Sequence, residues 1–123
     1  MVASMQRYEA QLLLDQVCQA SPDIEMLALI EGDGQIRAHS PRDTALSDVI
    51  APLVVGVADV ADRSAQELGR GMLESFLIEA SQGVLVGRDL GDGTILAALA
   101  RDRAALGLIL HDLRECAKQL KGE

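Results

Sequence analysis

The chain has 123 residues, 49% hydrophobic and 24% charged, and eleven basic against nineteen acidic side chains give a net charge of −8. That length suits one domain, 1–123, and the hydrophobic share is too high for a disordered segment. Nucleic acid is excluded as the main partner: there is no run of Lys and Arg for a phosphate backbone, and only Tyr8 and Phe76 are aromatic.

No apolar run approaches the ~20 residues of a membrane span. The opening "MVASMQRYEAQ" lacks the basic head and apolar core of a secretory signal. The expectation is a cytoplasmic protein with no membrane partner. Cys18 and Cys116 both fall inside helical patterns and read as buried thiols, with a disulfide between the two helices as the alternative.

In chain order, residues 5–20 place Leu13, Leu14, Val17 and Cys18 on one side of a helix that "SPD" at 21–23 breaks. "IEMLALIE" at 24–31 and "QIRAHS" at 35–40 read as two strands joined by a tight turn. The longest helical pattern covers 43–69, with Asp43, Thr44 or Ser47 as caps and Gly69 as its stop. Pro52 requires either a regular helix beginning near Ser47 or a kink. Leu46, Val49, Ile50, Leu53, Val54, Val57, Val60, Ala61 and Leu68 wrap well beyond the ~100° stripe of a surface helix. A helix apolar on two sides needs two partners, and the second points to another subunit.

Three further strands follow at 72–80, 83–90 and 94–100, linked by short turns, and a last helix at 103–120 has Asp102 as its cap. The order is helix-strand-strand-helix-strand-strand-strand-helix. This predicts an α/β fold with a five-stranded, mainly antiparallel sheet and helices on both faces. In "MLESFLIEA" alternation sends Glu74, Phe76, Ile78 and Ala80 one way and Leu73, Ser75, Leu77 and Glu79 the other. Neither face is cleanly polar, so this strand is the candidate sticky edge.

The recurrent "GDGQI" at 32–36 and "GDGTI" at 91–95 invite a phosphate or cation reading. A phosphate cradle leads into a helix N-terminus, and both copies lead into strands. A calcium loop needs more oxygen ligands at alternate positions than "EGDGQIRAHS" supplies. Asp-Gly supplies the positive dihedrals of a hairpin turn, which accounts for both copies. His39 and His111 lack a second histidine at ligand spacing. The carboxylate pairs Glu31/Asp33 and Asp89/Asp92 have no marked pocket, and no serine sits in a nucleophile elbow. No catalytic constellation, metal site or cofactor site emerges.

"LALIEGDGQIRAHS", the long apolar helix, "ELGRGMLESFLIEASQGVLVGRDLGDGTILAALA" and "ALGLILHDLRECAKQL" stand in an order and spacing that resemble the roadblock family, the relatives of a dynein light chain that also occur in bacteria. The resemblance runs from about residue 6 to 120, with Glu31 (commonly Asp in relatives) and Pro52 as departures. It implies a profilin-like sandwich that homodimerises through the long helix and the strand after it. By carry-over the seam involves Leu53, Val57, Val60 and Ala61 with Leu73, Phe76 and Ile78. It also implies a non-catalytic protein that regulates or scaffolds a small Ras-like GTPase; bacterial members include activators of a polarity GTPase in gliding cells. Arg37 and Arg70 are the candidate exposed contacts for such a partner. The alternative is a small-molecule-sensing module of the same fold, against which the nearly pure aliphatic core counts.

Overall fold

The computed structural model describes residues 6–42 and 45–123. Three helices, α1 (Arg7–Ala20), α2 (Ser47–Glu67) and α3 (Leu106–Lys121), accompany five strands, β1 (Ile24–Ile30), β2 (Ile36–Ser40), β3 (Ser75–Ala80), β4 (Gly83–Asp89) and β5 (Ile95–Arg101). The strands form one sheet in the order β2-β1-β5-β4-β3, with every neighbouring pair antiparallel.

The central strands β1 and β5 are covered on both faces, which is why "IEMLALI" and "ILAALA" read as nearly unbroken apolar runs. Alternation splits them. Leu27, Leu29, Leu96 and Ala98 join Val84 and Val86 beneath α1 and α3, whose Leu14, Ile109, Leu113 and Leu120 are fully buried. Met26, Ala28, Ile30, Ile95 and Ala97 face the other way and receive Ile50, Ala51, Val54 and Ala58 of α2. The molecule is thus a three-layer sandwich with two helices on one face and one on the other.

The helix ends differ from the capping expectations. α2 begins at Ser47 with Leu46 in the cap position and no side-chain cap, while Asp43 and Thr44 lie outside the described residues. Pro52 is accommodated in the second turn, where its missing N–H removes only the hydrogen bond to the Asp48 carbonyl. Asp102 does not cap α3, which starts at Leu106 after an extended Ala105. Gly69 does stop α2: at φ +71° its N–H reaches the Gln66 carbonyl and that of Arg70 reaches Ala65.

The two edges of the sheet are treated differently. β2 is short and bulged, and α1 lies over it. The Gln11 amide works as a surrogate strand there: its Nε2 donates to the His39 carbonyl at 2.6 Å and its Oε1 accepts from the His39 N–H at 3.4 Å. Among the described residues no such cover is found along β3. The Asp89 N–H donates to the Glu74 carbonyl at 2.9 Å, which fixes the alternation. Glu74, Phe76, Ile78 and Ala80 turn their backbone groups towards β4, and Ser75, Leu77 and Glu79 turn theirs outwards.

Candidate association surface

α2 carries a second apolar stripe opposite the one it buries. Leu53 and Val60 are 59% and 60% exposed, Val49 stands beside them, and Val57 and Ala61 are half-buried along the same stripe. Pro52, Leu53, Gly56, Val57, Val60 and Ala61 line a shallow groove of ≈ 500 Å³, floored at Gly56 where no side chain rises. A contiguous apolar surface of this kind on a small acidic domain is the candidate surface for association.

The seam residues taken from β3 divide between two roles. Ile78 is 42% exposed and points to the α2 side of the sheet with its neighbour Leu85. Phe76 turns into the intrachain core beneath α2, where its ring occupies the space that a Cβ on Gly87 of β4 would fill. Leu73 joins that same cluster, which corrects the alternation expected for it. Leu73 precedes the strand, so period-two logic does not reach it; its N–H is instead tied to Asp62 Oδ1 of α2 at 2.8 Å. Leu53, Val57, Val60, Ala61 and Ile78 are therefore the members of the set that offer surface outwards.

The two arginines also separate. Arg37 is half-buried rather than exposed, and its Nε meets Glu31 Oε1 at 3.1 Å. Arg70 is exposed in the α2–β3 connection between Gly69 (φ +71°) and Gly71 (φ +88°).

Both GDG segments are hairpin turns. Asp33 Oδ1 accepts from the Gln35 N–H at 3.0 Å, and Asp92 Oδ1 accepts from the Thr94 N–H at 3.2 Å and from the Thr94 hydroxyl. Because Ile30 pairs with Ile95, the two turns lie side by side, close enough that a Cβ on Gly32 would come within 3.0 Å of the Gly93 carbonyl oxygen. Together they enclose about 330 Å³ lined by Glu31, Asp33, Arg37, Asp92 and Thr94. The carboxylates there are already engaged: Glu31 with Arg37, Asp33 and Asp92 with turn donors, and nearby Asp89 with the Gly91 N–H at 2.7 Å. Among the described residues no group of three or more His, Cys, Asp or Glu is arranged to hold a metal ion. His39 Nδ1 is 2.9 Å from the Pro41 carbonyl oxygen, and His111 is exposed on α3.

The cysteines are unpaired thiols. Burial, then the proximity of Cys18, pushes the Cys116 thiol up to about 12. Burial also raises Cys18, partly offset by its hydrogen bond to Ser40. Neither environment favours the thiolate that a nucleophile requires.

This architecture defines a profilin-like domain, and the structure of profilin Ib from Acanthamoeba castellanii superposes with a TM-score of 0.66 at 16% identity, covering 91% of this chain and 96% of that one. The model of the Roadblock/LC7 domain matches residues 10–100, and the chain belongs to that family. It is similar to the Roadblock/LC7 domain from Streptomyces avermitilis (TM-score 0.84, 21% identity, 91% of this chain and 94% of that one). Myxococcus xanthus MglB gives a TM-score of 0.85 at 15% identity over 95% of this chain and 88% of that one. At these identities the structural likeness speaks for the fold alone. By sequence, the uncharacterized protein MJ1340 of Methanocaldococcus jannaschii is 29% identical over 89 residues, which cover 72% of this chain and 77% of that protein. Among the described residues no helix is long and apolar enough to cross a membrane.

Proposed function

We propose that this chain is a non-catalytic homodimer that regulates or scaffolds a small Ras-like GTPase in the cytoplasm. The observation that carries the association half is the juxtaposition of the exposed α2 stripe with the open β3 edge. Across a two-fold axis beside β3, the outward backbone groups of Ser75, Leu77 and Glu79 meet their own copies. The two sheets then run on as one, and Leu53, Val57, Val60, Ala61 and Ile78 lose their water on the α2 side. Leu73 and Phe76 support this seam from below by holding β3 against α2.

The GTPase half rests on membership of the roadblock family. Arg70, exposed and flanked by glycines, is a candidate contact; Arg37, held by Glu31, is the weaker one. The test is affinity capture from native cytoplasm loaded in parallel with GDP and with a non-hydrolysable GTP analogue. Enrichment of a small GTPase in the analogue sample supports a regulator, and equal capture supports a scaffold. Absence of any GTPase from both overturns this half and favours ligand sensing, which native mass spectrometry of the purified protein would reveal as a retained small molecule.

A further inference from the structure

β3 carries an unusual pair of features at its two ends. At its beginning, the α2–β3 connection raises Leu68 and Met72, which are 73% and 79% exposed. At its end, a groove of ≈ 540 Å³ opens on the α2 side of the sheet, between Leu46 and Ile78, with Met26, Leu85 and Leu99 among its walls. The groove exists because α2 leads from the end of β2 to the beginning of β3 and therefore crosses the sheet diagonally, leaving the far ends of β3 and β4 uncovered.

Within one chain these features cannot meet, since the six residues of β3 hold them roughly 20 Å apart. A two-fold axis at the middle of β3 exchanges the ends of the strand. It therefore brings the connection of one copy to the groove of the other, twice, as an isologous contact requires. Charge agrees with the exchange. Arg70 lies between the two apolar residues, while Glu25 lines the groove, and neither makes an ion pair among the described residues.

We infer that Leu68 and Met72 of one protomer seat in the Leu46–Ile78 groove of a second copy, with Arg70 facing Glu25 in the wall of that groove. The inference rests on the dimer reading above and deepens it. It assigns Arg70 to self-association in place of the GTPase contact considered above, and the groove is complete only when a second chain fills it.

The test mixes two single variants, Met72→Cys and Gln82→Cys, the latter on the lip of the groove. They are treated with a short bis-maleimide, with the wild type as control for the native thiols. A covalent dimer formed in the mixture and in neither variant alone is the expected result. Leu68→Ser should weaken dimerisation at least tenfold, as loss of a buried leucine contact requires. Arg70→Glu should weaken it severalfold, and Glu25→Arg in the same chain should recover part of the loss. A dimer seen by light scattering that neither cross-links nor responds to Leu68→Ser overturns this inference and leaves the seam standing. A monomeric wild type overturns both.

Discussion

Val60→Asp separates association from folding. Val60 is 60% exposed in the single chain, so a carboxylate there stays in water and costs the monomer little. In the proposed dimer the remaining surface of Val60 is buried. Full burial of a valine is worth roughly 1.5–3 kcal/mol, so this share is about 1–2 kcal/mol per protomer. Two-fold symmetry doubles it, to about 2–4 kcal/mol, before any cost of desolvating two unpaired carboxylates. The dissociation constant should therefore rise at least ~30-fold and up to ~1,000-fold. Sedimentation equilibrium over a concentration series measures that change, and a thermal melt at low concentration checks that the monomer keeps its fold. A variant that dimerises as tightly as the wild type would refute the placement of the seam on α2. Val57→Asp should act in the same direction, but Val57 is half-buried within one chain, so its effect mixes folding with association.

Three other expectations concern the fold beneath the seam. Gly87→Ala puts a methyl group where the Phe76 ring lies and should cost about 1–3 kcal/mol, measured by urea unfolding; the penalty should largely vanish in a Phe76→Ala background, and additive penalties would show that the ring is not the obstacle. Asp33→Asn and Asp92→Asn keep a side-chain oxygen for the turn donors and should leave partner capture unchanged, whereas a large loss with either would place a binding role in the twin turns. The Cys116 thiol, raised from 9.0 to about 12, favours its neutral form in the folded chain, so its contribution is complete below pH 9 and is lost as pH rises from there towards 12. Relative to Cys116→Ala, the wild type should lose roughly 1.4 kcal/mol per pH unit in that window, and a gap between the two that stays constant in urea midpoints from about pH 8 to about pH 10 would contradict the burial.

Much of this molecule is legible in its sequence because its signals are local. Element order follows from periodicity, the hairpins from Asp-Gly turns, and the double apolar character of α2 from counting residues around one helix. What escaped depends on which strands become neighbours. The twin turns touch only because β1 pairs with β5, a contact between residues some 65 positions apart in the chain. Gln11 looks like any polar residue on a helix surface until β2 is laid beside it. Arg37 looks like a free strand-end cation until the hairpin returns it to Glu31. The seat of Phe76 is invisible as well, since Gly87 in "VLVGRDL" carries no mark of the ring that takes its side-chain space. Leu46 and Ala105 at the helix starts defeat capping rules, because packing of the apolar faces sets where these helices begin.

The difference between the two sheet edges bears on how far association can proceed. A sheet with two open edges can add chains indefinitely, whereas one open edge is exhausted when two copies meet. In this chain β3 is the open edge, and Gln11 closes β2 by satisfying both backbone groups of His39. Gln11→Leu removes that amide while keeping a side chain that packs. It should cost about 1–3 kcal/mol, since two hydrogen bonds to His39 are lost at a partly solvated edge, each worth about 0.5–1.5 kcal/mol. The local readout is the His39 amide, whose hydrogen exchange should accelerate relative to its neighbours in β2. The global readout is the weight-average mass at rising concentration, which should stay at the dimer for the wild type and climb beyond it for the variant. If the His39 amide is unaffected, the Gln11 contact is not what closes that edge; if the amide opens and the mass still stops at two chains, α1 itself is the barrier, and the edge is closed by bulk rather than by hydrogen bonding.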